Sequence, residues 1–200
     1  MNKGGTACKT ERPLDAVLFF VEGDDDMQLV LAQVSDAEAL QRYEDVCKDA
    51  EETDVLPFRL QYADMSAFLK AQTDWHIGAN LPEGVVSSSL YLVRQHGEVV
   101  ATLVLRHELN AYLRKFIGHI GYRVHPAYRR QGIAKEMLKQ AVVLAKREYG
   151  LQAVMVSCRD DNIASKKTIL HAGGCWERSY RIPETNECYD IFWIGGNEYD

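Results

Sequence analysis

One stretch of the chain constrains its fold more than any other. Ala134, Met137, Leu138, Ala141, Val142 and Ala145 recur at three- and four-residue intervals, while Lys135, Glu136, Lys139, Gln140, Lys146 and Arg147 fill the other side. This is the pattern of a helix with one apolar face. Tyr149-Gly150 ends it, and apolar runs at Ile117–Val124 and Ala153–Cys158 flank it. A strand, an amphipathic helix and a second buried-type strand in succession require a sheet with the helix laid on its face, which is an α/β architecture.

The remaining segments extend that sheet. Met27–Val34 reads as a strand, and Ser35 with Glu38 three residues on fits a capping box ahead of a helix that puts Leu40, Tyr43 and Cys47 on one face. A second helix spans Ala63 to Trp75, with Met65, Phe68 and Leu69 as its apolar side, and Asn80-Leu81-Pro82-Glu83-Gly84 breaks the chain after it. Ser89–Arg94 and Glu98–Arg106 read as a hairpin through Gln95-His96-Gly97. His107–Lys115 is irregular or helical. Asn162–Ala172 is a helix stopped by Gly173-Gly174, and Cys175–Ile182 and Glu187–Ile194 are strands around Pro183-Glu184-Thr185-Asn186. Ahead of all this, the polar Met1–Arg12 segment is expected to be disordered, Leu14–Val21 can pair as an extra strand, and Asp24-Asp25-Asp26 reads as a solvated turn rather than a metal site. The result is a mixed α/β sheet without internal repeats.

Two hundred residues, 46% of them hydrophobic and 26% charged, suit a single globular domain. A formal net charge of −6 disfavours a general nucleic-acid or anionic-membrane binder. Cys8, Cys47, Cys158, Cys175 and Cys188 are odd in number and lack C-x-x-C spacing, so reduced thiols in a cytoplasmic protein are expected. The histidines show no zinc-ligand spacing, and no metal is expected. No apolar run approaches a membrane span, and Ala16–Val21, set between Asp15 and Glu22, does not read as a signal peptide.

Chemistry concentrates in Val124-His125-Pro126-Ala127-Tyr128-Arg129-Arg130-Gln131-Gly132-Ile133-Ala134. A strand ends, Pro126 stops its ladder, two arginines follow and a helix opens at a small residue. A helix start leaves about four backbone N–H groups unpaired and favours an anion. Gly132 lets a phosphate approach the backbone, and Arg129 and Arg130 add charge. Taken alone, the pattern also fits a surface turn with two solvated arginines. A P-loop or dinucleotide fold is disfavoured, because Arg129-x-x-Gly132-x-Ala134 lacks the P-loop lysine and the fingerprint glycines.

This turn resembles the acyl-CoA pyrophosphate loop of the GNAT superfamily of N-acetyltransferases, Arg/Gln-x-x-Gly-x-Gly/Ala, at Arg129, Gly132 and Ala134. Gly118-His119-Ile120-Gly121-Tyr122-Arg123-Val124-His125-Pro126 resembles the family's fourth strand and its Val-x-Pro exit. Asn162-Ile163-Ala164-Ser165 with Gly173-Gly174 resembles its Asn-x-x-Ala/Ser helix. The resemblance covers Met27 to Ile194. Leu105-Arg106-His107, Asn110 and Gly118–Tyr122 together look like a bacterial branch of predicted acetyltransferases. The fold implied is a mixed, mostly antiparallel twisted sheet with splayed central strands flanked by helices. Residues 1–26 would be an N-terminal extension and residues 27–200 the acetyltransferase domain.

The resemblance implies acetyl-CoA as co-substrate, bound between the fourth and fifth strands. Backbone at Tyr122 and Val124 would meet pantetheine, and Arg129, Arg130, Gln131, Gly132, Ile133 and Ala134 would surround the pyrophosphate. Asn162 and Ser165 would lie on the CoA side, Asn162 also being suited to cap a helix. A neutral primary amine would attack the thioester directly, its oxyanion met by backbone donors. An amine of pKa 10.4 is mostly protonated at pH 7, at a cost of roughly 4–5 kcal/mol, so a base or a desolvating pocket is needed. His119 is the leading candidate for general base, with His107 and Glu108 in reserve, while Arg106 and Asn110 are candidates to line the acceptor pocket. Many relatives carry a leaving-group tyrosine where this chain has Ile169; with Asn-x-x-Ser, this resembles the branch that acetylates ribosomal-protein N-termini. Tyr128 and Tyr180 are possible substitutes, and Cys158 and Cys175 are expected to be buried structural thiols. The acceptor would be a small-molecule amine or a protein N-terminus, with the protein a monomer or homodimer. The alternative is an acyl-CoA-binding sensor without catalysis.

Overall fold

The computed structural model describes residues 28–50, 56–183 and 185–195. Seven strands form one sheet: β1 (Gln28–Leu31), β2 (Ser88–Gln95), β3 (Glu98–Arg106), β4 (Ile120–Val124), β5 (Val154–Arg159), β6 (Cys175–Arg181) and β7 (Cys188–Ile194), in the order β1-β2-β3-β4-β5-β7-β6. Five helices pack on it: α1 (Ala37–Asp49), α2 (Met65–His76), α3 (Ala111–Phe116), α4 (Ile133–Tyr149) and α5 (Ile163–His171). All neighbouring strands are antiparallel except β4 and β5. The α4 connection explains the exception, since a long helical crossover returns the chain in the same direction. The mixed, mostly antiparallel sheet expected from the sequence is therefore the fold observed.

Helix α4 lays Met137, Leu138, Ala141 and Ala145 on one sheet face, against residues that include Tyr91, Leu103, Leu105, Ile120 and Val156. The other face receives Leu40, Tyr43 and Cys47 of α1 and Phe68 and Leu69 of α2, against Leu90 and Leu92. Alternation along β2 divides the two cores, as the period of two in a strand requires. Fully burying each large apolar side chain contributes about 1.5–3 kcal/mol. Tyr43 adds a polar tie: its hydroxyl donates to the carbonyl of Arg123 at 3.2 Å and fixes α1 to β4.

Beside β4 the sheet is held together at one point. Ile120 pairs with Val156, and Gly118 forms an isolated bridge to the same residue; no further β4–β5 register pair occurs among the described residues. Gly118 sits at φ +82, and a Cβ there would stand 2.4 Å from the carbonyl oxygen of Met155. Only glycine fits so close an approach. Past Ile120 the strands part.

Several expectations shift at their edges. β1 stops at Leu31 rather than Val34, and Val34–Asp36 is a 3-10 turn. The Ser35–Glu38 capping box does not form. Asp36 holds that corner instead, its carboxylate accepting from the backbone N–H of Gln33 at 2.8 Å and pairing with Arg94. Within the His107–Lys115 segment, α3 begins at Ala111. The proposed Met1–Arg12 disorder, the Leu14–Val21 strand, the acidic triplet and the 1–26 extension lie outside the described residues. No helix among the described residues is long and apolar enough to cross a membrane.

Candidate active site

The start of α4 differs from those of α2, α3 and α5. Asp64 accepts from Ala67 N–H at the head of α2, Asn110 from Leu113 N–H at α3, and Asn162 from Ser165 N–H at α5. No side chain caps α4; its N-cap is Gly132 at φ +85. The first intrahelical bond runs from Glu136 N–H to the Gly132 carbonyl at 3.1 Å. The earlier N–H groups of the turn are thus left to an outside acceptor, at the positive end of the helix dipole. A Cβ on Gly132 would meet nothing within 4 Å, so the space above the turn is open.

That space is a cavity of about 530 Å³. Tyr122, Val124, Arg129, Arg130, Gly132, Ile133 and Ala134 line it, with Asn162, Ser165 and Tyr128. Arg129 steadies the turn by donating from Nε to the Val124 carbonyl at 3.1 Å. Gln131 departs from this group: its side chain donates back to the Ala127 carbonyl at 3.3 Å and does not line the cavity. Open N–H groups, flanking arginines and a side-chain-free approach form a cradle that fits a pyrophosphate, and the cavity continues to β4 as pantetheine requires. Asn162 both caps α5 and lines the cavity. Across it, the Tyr122 hydroxyl meets Ser165 Oγ at 2.9 Å. Burial pushes the Tyr122 phenol up, opposed by the hydrogen bond with Ser165. It therefore stays protonated at neutral pH.

His119 lies just ahead of β4, between the two residues that join it to β5, and is 6% exposed. Its backbone N–H donates to the Met155 carbonyl at 2.7 Å, and Met155 N–H donates to its Nδ1 at 2.9 Å. Burial, with Arg114 and Arg106 nearby, pushes its pKa down to about 4. The neutral ring that results uses its Nδ1 lone pair on Met155 and carries its proton on Nε2. With Nδ1 engaged in this way, His119 is held as a brace between β4 and β5, and acting as a base would require that bond to break.

The reserve bases fare no better. His107 Nε2 bonds to Ser89 Oγ at 2.8 Å, and its ring stacks on Tyr149 with centroids 3.8 Å apart. His76 and Tyr149 bond to the same hydroxyl at 2.7 and 2.8 Å, so His107 belongs to a structural network. Burial and His76 push His107 down to about 4. Glu108 is exposed and lines neither this cavity nor the one described next. Asn110 has both ends occupied, capping α3 and donating from Nδ2 to the Gly84 carbonyl at 2.9 Å, so it braces a loop instead of lining a pocket. Ile169 is fully buried core, as Gly174 packed behind it requires. Tyr180 packs on Phe116. Cys158 is buried as expected, whereas Cys175 opens the edge strand β6 and is exposed, so the expectation of a buried thiol is corrected there.

Arg106 is placed at a second cavity, of about 550 Å³, on the α1–α2 side of β3. Phe58, Trp75, Val104, Tyr112, Leu113 and Ile117 supply its apolar walls. Arg106 donates to the Gly118 carbonyl at 3.2 Å, which brings its guanidinium to the joined end of the β4–β5 pair, ahead of the point past Ile120 where the strands part. Val104 is paired with Gly121, whose missing side chain leaves open space on that face of β4. Sequence reasoning missed most of this cavity, because its walls come from five separate segments. It also missed the Tyr122 hydroxyl, whose partner lies on another element. Among the described residues no group of three His, Cys, Asp or Glu side chains is arranged to hold a metal.

An uncapped helix start at the exit of a splayed strand thus opens on one cavity, and a second cavity lies at that strand's entry. Residues 43–173 match the model of the acetyltransferase (GNAT) family. The chain belongs to that family and is an N-acetyltransferase. No curated protein sequence matches the chain. Among solved structures, the ribosomal-protein-S5-alanine acetyltransferase of Vibrio fischeri is similar over 92% of this chain and 99% of its own, with 16% identity and a TM-score of 0.70. The ribosomal L7/L12 α-N-protein acetyltransferase in complex with coenzyme A gives 16% identity, a TM-score of 0.67, and coverage of 87% of this chain and 97% of its own. The microcin C7 self-immunity acetyltransferase in complex with acetyl-CoA and AMP gives 14%, 0.62, 85% and 92%. At these identities the likeness is one of fold.

Proposed function

We propose that this acetyltransferase moves an acetyl group from acetyl-CoA directly to a primary amine, with both substrates bound together. The uncapped, glycine-led start of α4 beside the splayed end of β4 carries this reading. Arg129, Arg130 and the backbone from Gly132 to Ala134 would hold the pyrophosphate. The backbone of Tyr122 and Val124 would hold pantetheine and stabilise negative charge on the acyl oxygen. Acetyl-CoA supplies the acyl group as a thioester. As the new N–C bond forms and the C–S bond breaks, the Tyr122–Ser165 hydroxyl pair donates the proton that the thiolate takes up, a role Ile169 cannot fill. The amine's proton leaves to solvent.

No side-chain base is assigned. The apolar walls of the second cavity disfavour an ammonium and favour the neutral amine. An α-amino group, with a pKa near 7.7–8.0, needs only about 1 kcal/mol for this at pH 7, against roughly 4–5 kcal/mol for a lysine-like amine. The lower cost favours the α-amino group of a peptide or protein N-terminus, while the amine of a free amino acid, raised by its own carboxylate, costs more to deprotonate. The alternative, a sensor that binds acyl-CoA without transfer, is separated by measuring thiol release over an amine panel. Release above the hydrolysis background is expected with α-amines; binding without release from any of them would favour the sensor.

A further inference from the structure

Arg106 is a half-buried cation without an acidic partner. Its side chain makes one hydrogen bond, to the Gly118 carbonyl, and no carboxylate pairs with it among the described residues. Arg106 lines the second cavity, and its guanidinium keeps donors beyond the one used on Gly118. Burial alone pushes its pKa down to about 10, so it remains charged at neutral pH, held among apolar walls. Among the described residues Glu83 is the one carboxylate lining that cavity; it is exposed and forms no ion pair with Arg106. A charge left this way is a cost unless an anion completes it. The fork geometry suits a planar carboxylate in particular.

We infer that the second cavity selects an acceptor amine that also carries a carboxylate and an aromatic or branched apolar body, with Arg106 holding the carboxylate. Phe58, Trp75, Tyr112 and Leu113 form a wall for the apolar body. The volume, about 550 Å³, lies in the range of small-molecule sites. A carboxylate seated beside Gly118 would leave the amine near the open face at Gly121, beside the strand proposed to hold the thioester. This inference rests on the acetyl-transfer reading and adds the chemistry of the acceptor. The carboxylate has two sources: the main chain of a free amino acid, or an acidic side chain next to a peptide's N-terminal residue.

The test uses unreactive probes first. Binding of 3-phenylpropanoate and of neutral 3-phenylpropanamide to the full chain without acetyl-CoA is followed by calorimetry. The acid is expected to bind at least tenfold more tightly, a preference lost in Arg106→Gln and partly kept in Arg106→Lys, as for a charge-assisted hydrogen bond. Equal binding of acid and amide, or a preference that survives Arg106→Gln, overturns the inference. Acetyl-CoA calorimetry on each variant checks that the first cavity is intact. Should acetyl-CoA fail to bind the wild type, the transfer reading falls while the anion preference is still measured. Acetyl transfer to phenylalanine and to phenylalanyl-aspartate amide then separates the two carboxylate sources, and each productive arm should slow about tenfold or more in Arg106→Gln. Wild-type rates in that variant count against the inference.

Discussion

A single bond from Met155 N–H to His119 Nδ1 separates a base from a brace. Asparagine offers a carbonyl oxygen where histidine offers Nδ1, so His119→Asn is expected to keep turnover within about threefold. His119→Ala leaves a buried N–H unsatisfied and should destabilise the protein by about 1–3 kcal/mol. Loss of turnover in a folded His119→Asn protein would return His119 to the mechanism. Tyr122→Phe is expected to lower turnover about tenfold while acetyl-CoA affinity stays unchanged, because only the hydroxyl toward Ser165 is lost; steady-state kinetics with calorimetry checks both. Arg129, Gly132 and Ala134 were named from a short local motif and its likeness to the family's loop, and all three line the first cavity. The roles of His119 and Tyr122 were not legible in this way, since each depends on a partner far along the chain, Met155 or Ser165.

Among the elements, α5 shows how packing overrides a missing catalytic type. Ile169 is fully buried, and a Cβ on Gly174 would stand 2.6 Å from its Cγ2. Ile169→Tyr should therefore overpack the core and cost about 1–3 kcal/mol in denaturant unfolding, with no gain in turnover. A stable, faster variant would show that the site has room for a tyrosine acid. Helices α2, α4 and α5 and most strands were readable from periodicity and breakers. Element ends were less so: Asp36, not Ser35, organises the entry to α1 because Arg94, on β2, pairs with it.

Across the whole molecule, four histidines that burial pushes down couple folding to pH, His76 and His125 alongside the two most strongly shifted. His107 and His119 both titrate near 4 when folded, against about 6.5 unfolded. The unfolded chain thus binds more protons between those values, so stability is present above about pH 6.5 and is lost as pH falls toward 4. Each group contributes up to about 3 kcal/mol to that loss. Denaturant midpoints should drop through this window, and His107→Gln with His119→Asn should flatten the drop; a midpoint indifferent to pH in the wild type would contradict it. The sheet's class was legible from strand and helix order. The second cavity was not, because it exists only once α2, β3 and α3 come together.

The account stands most directly on the start of α4, and titrating acetyl-CoA into wild type and Gly132→Glu by calorimetry tests it. Saturable one-site binding by the wild type, weakened by salt and absent in a folded Gly132→Glu protein, is predicted, since glutamate places charge and bulk in the cradle. No binding by the wild type, or equal binding by both proteins, would contradict it.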